Sequence, residues 1–198
     1  KTRIESDLIG AREIPAEALY GVQTLRGIEN FSISKFRLSE YPLFIKGLAI
    51  TKMAAAMANF ELGLLTVEQK DAIIAACGEI IDGKHHDQFP VDMIQGGAGT
   101  TTNMNANEVI ANRALELMGH ERGEYQYCSP NDHVNCSQST NDAYPTAIHI
   151  GMYFKHLQLL PHLEELIASF RKKGEEFSRI IKMGRTQLED AVPMTLGQ

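Results

Sequence analysis

The sequence contains no tryptophan, only three cysteines and no excess of positive charge. Cys77, Cys128 and Cys136 form no C-x-x-C pair and match no zinc-binding spacing, so they predict reduced thiols. A net charge of −6 argues against the basic patches that bind nucleic acids or anionic membranes. We therefore expect a cytoplasmic protein that has neither nucleic acid nor a membrane as a partner.

Several motifs that would indicate a membrane span or a cofactor are also missing. No run of apolar residues reaches the ~18 that a membrane span needs. The seven histidines are not accompanied by H-E-x-x-H or a similar ligand set, so we expect no metal site. The glycine-rich residues 96–99 lack the lysine of a phosphate loop and the spacing of a dinucleotide fingerprint. These residues therefore match neither kind of nucleotide-binding motif.

The remaining pattern predicts a mainly α fold with short extended segments near the N-terminus. Residues 1–40 indicate extended segments and loops, with a short hairpin. Apolar residues at helical spacing predict helices over 43–62, over 67–82 behind a Thr66 cap, and over 105–118. A longer helical region begins at Asn141 or Asp142, and Pro161 is expected to end one helix and begin the next.

Two long helices joined at Pro161 would form an antiparallel pair, the beginning of a helical bundle. We therefore divide the chain into an α-rich N-terminal domain, residues 1–138, and the start of a central bundle domain, residues 139–198. Residues 193–198 resemble the first turn of a further helix, and the chain does not begin with Met. We expect the chain to be a fragment of a longer protein.

Three short stretches combine small hydroxyl and amide residues with a helix-like pattern that follows them. They are Gly96 to Asn103, Ser137 to Asp142, and Gly184 to Gln187. A helix start carries unpaired N–H groups and the positive end of the helix dipole, and it therefore favours anions. Three such starts predict a pocket for a small molecule with more than one carboxylate, bound by mostly neutral donors.

Each stretch also has a purely structural interpretation. The first could be a flexible turn and a helix cap, and Asn141 or Asp142 could simply cap the helix after the second. The third could be a surface turn, in which Arg185 is either a carboxylate clamp or a solvated side chain. No residue is a convincing proton-abstracting base, because Glu108 in the first turns of a helix is typically a dipole partner.

The three stretches together resemble the aspartase/fumarase superfamily over essentially the whole chain. Residues 96–105 (GGAGTTTNMN) match its first region, and residues 130–142, from Pro-Asn-Asp-His-Val-Asn to Ser-Thr-Asn-Asp, match its second. Residues 182–193, with Gly-Arg-Thr-Gln and Asp-Ala-Val-Pro, resemble a stretch that the family uses at the same site.

The resemblance implies a homotetramer with a central helix bundle and active sites assembled from several subunits. It also implies that six residues contact the substrate: Thr100, Ser139, Thr140, Asn141, Thr186 and Gln187. Thr101 and His133 are further candidates. In the family the base is a serine on a mobile glycine-rich loop, which would lie beyond Gln198. The resemblance therefore places no catalytic base in this chain, and we expect the 198 residues alone to be inactive.

The implied reaction is the reversible elimination of ammonia from L-aspartate, which gives fumarate through an aci-carboxylate intermediate. The resemblance also implies that this reaction requires no organic cofactor. Neutral donors aimed at the β-carboxylate would stabilise the charge that builds on it. Gln187 and the sequence Asn131-Asp132-His133 favour this reaction over fumarate hydration by the same fold. Fumarate hydration, or a binding module without catalysis, remains the alternative.

Overall fold

The computed structural model describes residues 1–198, and these residues fold mainly into α-helices, as predicted. The chain forms two compact units, residues 1–153 and residues 154–198. The first unit contains a β-hairpin and the helical core. The second contains the end of a long helix and another β-hairpin. The predicted domain boundary between residues 138 and 139 stays a prediction.

The N-terminal hairpin expected from the sequence is present. Strands β1 (Thr2–Asp7) and β2 (Gly10–Pro15) pair antiparallel, and the Asp7 side chain accepts the N–H groups of Ile9 and Gly10 in the turn. Helix α1 (Val22–Asn30) follows, although the sequence suggested only loops there. The residue before it, Gly21, offers no side chain to cap the helix, so its start carried no local signal.

Helices α2 (Pro42–Glu61) and α3 (Val67–Ile81) confirm the sequence prediction. Thr66 caps α3 as expected: its hydroxyl accepts the N–H of Gln69, and the Gln69 side chain accepts the N–H of Thr66. Helix α4 (Thr100–Leu117) packs against α3, and α2 packs against α3 as well. Apolar side chains from the three helices form the buried core, among them Ile45, Leu48, Ile73, Ile80, Ile110 and Leu115.

Helix α2 is long and apolar enough to cross a membrane, contrary to the expectation from the sequence. The core helix of a folded domain passes the same test of length and composition, so this observation is weak evidence for a span. The helix also buries the charged residue Lys52 among apolar neighbours such as Leu48 and Ala56.

Helix α5 (Thr140–Glu176) corrects the prediction of two helices. Pro161 lies in its interior, and the helix continues on both sides without the expected break. Proline removes one intrahelical hydrogen bond, at the carbonyl of Leu157. Because both residues are exposed, water can hydrate that carbonyl, and the good helix formers on either side sustain the helix. The antiparallel pair expected at Pro161 is therefore absent.

The C-terminal segment also differs from the prediction. Strands β3 (Ile181–Thr186) and β4 (Glu189–Thr195) form a hairpin, so neither Gly184–Gln187 nor Pro193 begins a helix. Gln187 and Leu188 have φ angles of 50° and 65°, as a tight hairpin turn requires. Pro193 is tolerated in β4 because both strands of a two-stranded ribbon are edge strands. The end of the hairpin returns to the turn that follows α5, where the Gly197 N–H donates to the Phe177 carbonyl at 3.1 Å.

Candidate active site

Two of the three polar stretches meet inside the first unit. The Asn103 side-chain amide, in the first turn of α4, donates a hydrogen bond of 3.1 Å to the hydroxyl of Thr140, the first residue of α5. The two helix starts therefore lie side by side, although 37 residues separate the two partners in the sequence. This contact juxtaposes the N-terminal ends of two helices, and each of them favours an anion.

The glycines before α4 allow this close approach. Gly99 precedes the helix with a φ of 89°, and a Cβ atom placed there would lie 2.3 Å from the ring of Tyr144 on α5. Only glycine fits this backbone and this contact. The N–H of Thr102 donates to the Gln95 side chain at 3.0 Å.

The side chains of Thr100 and Thr101, which the sequence left as neighbouring candidates, lie in different surroundings in the structure. Thr100 is exposed at the N-terminus of α4. The next residue, Thr101, faces α1, since a Cβ atom on Gly27 would lie 2.3 Å from its methyl group. Thr101 lines a cavity of about 780 Å³ beside α1. Another cavity, of about 500 Å³, lies at the two helix starts and is lined by Met93, Ile94, Gln95, Gly97, Ala98, Gly99, Asn141, Tyr144 and Pro145.

The start of α5 has a cap that the sequence reasoning placed too late. The Ser139 hydroxyl accepts the N–H of Asn141 at 3.2 Å, so Ser139 is the cap rather than Asn141 or Asp142. Ser139 and Asn141 are exposed, and Thr140 is half-buried. The role of Ser139 as a helix cap thus uses one lone pair of its hydroxyl oxygen. The hydroxyl proton of Ser139 and the side chain of Asn141 are not used by the cap.

Behind the two helix starts lies a buried polar network that the sequence analysis missed. Lys52 Nζ donates to Asn135 Oδ1 at 2.9 Å and to Gln138 Oε1 at 3.0 Å. Asn135 Oδ1 also accepts from the Asn103 amide at 3.1 Å, and this links Lys52 to Thr140. Burial lowers the pKa of the Lys52 ammonium to about 7, and the Cys77 thiol partly opposes this shift.

A signal for Lys52 existed in the sequence. It lies four residues after Leu48 and four before Ala56, so it occupies the same face of α2 as residues that are 1% and 2% exposed. A single charged residue on a buried helix face requires acceptors from other segments.

Thr186 and Gln187 lie at the turn of the β3–β4 hairpin in the second unit, where both are exposed. Arg185 pairs with Asp190 through a hydrogen bond of 2.8 Å between two exposed side chains. This ion pair favours the interpretation of Arg185 as a surface residue. The roles assigned to Thr186 and Gln187 stay predictions.

His133 lies in a π-helical turn, Pro130–Val134, that precedes the second polar stretch. Its Nδ1 accepts the N–H of Ser129 at 2.8 Å, and its Nε2 lies 3.2 Å from the Gln69 amide. Burial lowers the pKa of His133, an effect that Asp132 partly opposes. The contacts hold a neutral imidazole in place as part of the turn, and a further role for His133 at the site stays a prediction.

Glu108 is a structural carboxylate that serves a different helix from its own. Its oxygens accept the N–H groups of Gly21, Gln23 and Thr24, and Glu5 accepts that of Val22. Burial raises the pKa of Glu108, and the hydrogen bonds from the start of α1 oppose this shift. Its carboxylate is thereby occupied as the cap of α1, and it is not available as a base at the junction of α4 and α5.

Comparison with known proteins identifies the class of this fold. A family profile described as Lyase matches residues 10–198, and the chain belongs to this lyase family. Among solved structures, a fumarate lyase/delta crystallin protein from Brucella melitensis has a TM-score of 0.91, 55% identity, and coverage of 100% of this chain and 43% of its own. A class II fumarase from Schistosoma mansoni has a TM-score of 0.87, 39% identity, and coverage of 100% and 41%.

Within this class the chain is similar to aspartate ammonia-lyases. It is 61% identical over 196 residues to one from Pseudomonas canavaninivorans, covering 99% of this chain and 41% of the relative. It is 59% identical over 197 residues to one from Escherichia coli K12, again covering 99% and 41%. The chain thus spans about two fifths of the length of these relatives. The resemblance inferred from the three polar stretches is confirmed.

Proposed function

We propose that the full-length protein containing this chain is an aspartate ammonia-lyase, which converts L-aspartate to fumarate and ammonia. The observation that carries the proposal is the hydrogen bond between Asn103 and Thr140, which brings two donor-rich helix starts together. Relatives with this activity are about 60% identical to the chain, whereas the compared class II fumarase is 39% identical.

In this proposal the residues of the chain bind the substrate and stabilise charge. Thr100, Ser139, Thr140 and Asn141 offer hydroxyl and amide donors at the two helix starts, and Thr186 and Gln187 add donors from the hairpin. Removal of the proton next to the β-carboxylate converts that group to an aci-carboxylate with additional negative charge. Neutral donors bind this state more tightly than the substrate, and they do not titrate near neutral pH.

The proposal places the base outside this chain, as a serine of a glycine-rich loop. It also assigns a homotetramer, a cytoplasmic location and no organic cofactor to the full-length protein. Exposed apolar side chains along the part of α5 in the second unit support assembly: Leu157, Leu159, Leu160, Leu163, Leu166, Ile167 and Phe170. Such a stripe is typical of a helix that other helices cover.

The test is fumarate formation, followed by ultraviolet absorbance, with L-aspartate or L-malate supplied to the full-length protein. We expect turnover of L-aspartate and none of L-malate. Turnover of L-malate alone would replace the proposal with a fumarate hydratase. The 198-residue chain is a useful control, because we expect it to form no fumarate without the base. Fumarate production by this chain alone would contradict the assignment of the base.

A further inference from the structure

Lys52 is completely buried, yet its acceptors are two side-chain amide oxygens rather than a carboxylate. Burying an ammonium without an opposite charge is costly, so such a residue needs a structural or functional reason. The fold could have placed a leucine or methionine at this apolar position of α2 at lower cost. The orientation of the hydrogen bonds that Lys52 makes supplies the reason.

While Lys52 is protonated, its ammonium group is a donor only, and it therefore fixes the orientation of each amide that it contacts. Asn135 must present Oδ1 to Lys52, and its Nδ2 correspondingly donates to the Gln138 carbonyl at 3.1 Å. The same Oδ1 accepts from Asn103, so Asn103 must present its Nδ2. That Nδ2 also donates to the Thr140 hydroxyl oxygen at 3.1 Å.

The direction of the last bond decides what Thr140 can do. Because its oxygen accepts from Asn103, its proton is available to donate to another group. If the Asn103 amide were reversed, its oxygen would face the Thr140 hydroxyl and would compete for that proton. A hydroxyl that is already donating presents only lone pairs, which repel a carboxylate.

We propose that Lys52 is a positioning residue that orients the Asn135–Asn103–Thr140 chain, so that the Thr140 hydroxyl donates to a carboxylate of the dicarboxylic substrate. The inference rests on the proposed function, since it concerns the same site. Lys52 does not touch the substrate. Its effect reaches the site through two amides, each of which has one permitted orientation.

A merely structural role for Lys52 predicts a loss of stability without a specific loss of substrate binding. Another residue of α2 provides a matched control for such a role. Asn59 lies seven residues further along the same face of α2, is also buried, and donates to the Cys136 carbonyl at 2.8 Å. It therefore supports the loop before α5, as Lys52 does, but it takes no part in the hydrogen bonds that lead to Thr140. Asn59→Leu should lower the thermal stability but leave the KM for L-aspartate within about twofold.

The test is a double-mutant cycle in the full-length protein, with Lys52→Met, Thr140→Val and the double variant. We measure the KM and kcat for L-aspartate and, by calorimetry, the dissociation constant of succinate, which has no amine to eliminate. Lys52→Met should raise the KM and the succinate constant about tenfold. The double variant should bind no more weakly than Thr140→Val, because Lys52 has nothing left to orient.

Unchanged succinate binding in folded Lys52→Met, or effects that multiply in the double variant, would overturn the inference. Where Lys52→Met does not fold, Asn135→Leu takes its place in the same cycle. This variant removes the amide between Lys52 and Asn103 and leaves Lys52 bonded to Gln138. The wild-type protein tests the proposed function separately. If the wild-type protein binds succinate but forms no fumarate, the proposed ammonia-lyase activity is rejected, and succinate binding still tests the role of Lys52. If it neither binds succinate nor forms fumarate, both proposals are rejected.

Discussion

At the scale of single residues, asparagine stands in α4 where a helix would favour alanine or leucine. Asn103, Asn105 and Asn107 are all buried, and each side-chain amide has an acceptor within the fold. Asn103 reaches Thr140, and Asn105 donates to the Gln88 carbonyl at 3.0 Å. Asn103 and Asn105 therefore join α4 to other segments at a cost in helix propensity, whereas the Asn107 amide finds its acceptor within α4 itself.

The two neighbouring threonines at the start of α4 should differ in their effect on activity. Thr100→Val in the full-length protein removes a donor at the junction of α4 and α5, and we expect kcat/KM for L-aspartate to fall about 100-fold. Thr101→Val keeps the methyl contact with Gly27 and should cost less than about tenfold. Steady-state kinetics of the two variants measures the difference, and a larger loss for Thr101→Val would exchange their roles.

Lys52 also predicts a dependence of stability on pH. Its pKa is about 7 in the folded protein, whereas the ordinary lysine value of 10.5 applies in the unfolded chain. Above pH 7 the unfolded chain therefore binds more protons than the folded one. The free energy of unfolding should therefore rise with pH from about 7 to about 9, with a contribution of up to about 1.4 kcal/mol per pH unit. Above about 9 the trend reverses, since burial raises the pKa values of both Cys77 and Cys128 from 9.0 to about 12 and the two thiols ionise first in the unfolded chain.

Urea unfolding of the wild-type protein and of Lys52→Met over this range of pH measures the contribution. We expect the rise between pH 7 and 9 to be absent in the variant. The same slope in both proteins would assign the dependence to other groups.

At the scale of helices and strands, local signals were predictable and distant ones were not. The Thr66–Gln69 capping box is local, and α3 was predicted with its cap. Helix α1 is capped by Glu5 and Glu108, and the latter lies more than 80 residues away in the sequence. The hairpin β3–β4 was missed because Pro193 also suits a helix start, and only strand pairing decides between the two structures.

The continuity of α5 at Pro161 gives a prediction about stability. Proline in a helix interior costs up to about 3 kcal/mol relative to alanine, so Pro161→Ala should raise the free energy of unfolding by about 1–3 kcal/mol. His162→Ala, at the next exposed position, is the control and should change it by less than about 0.5 kcal/mol. Thermal unfolding compares the two variants, and a loss of stability in Pro161→Ala would indicate that the helix needs the proline.

At the scale of the whole molecule, the site could be predicted only in part. The polar stretches and the family were recognisable from sequence, because the ordered combination of the three stretches is specific. Three features could be identified only from the fold: the cap at Ser139, the different surroundings of Thr100 and Thr101, and the network behind Thr140. These features depend on contacts such as that between Lys52 and Asn135, which lie 83 residues apart, so the local pattern around Lys52 does not say which residues accept from it.

The central claim is that neutral donors from separate segments surround one dicarboxylate in the full-length protein. A crystal structure of that protein with succinate bound tests it most directly. The account predicts oxygen–oxygen distances of about 2.7–3.1 Å from the carboxylates to the hydroxyls of Thr100, Thr140 and Thr186, with symmetry-related subunits included. Succinate bound away from the junction of α4 and α5, with these three hydroxyls contacting no part of it, would contradict the account.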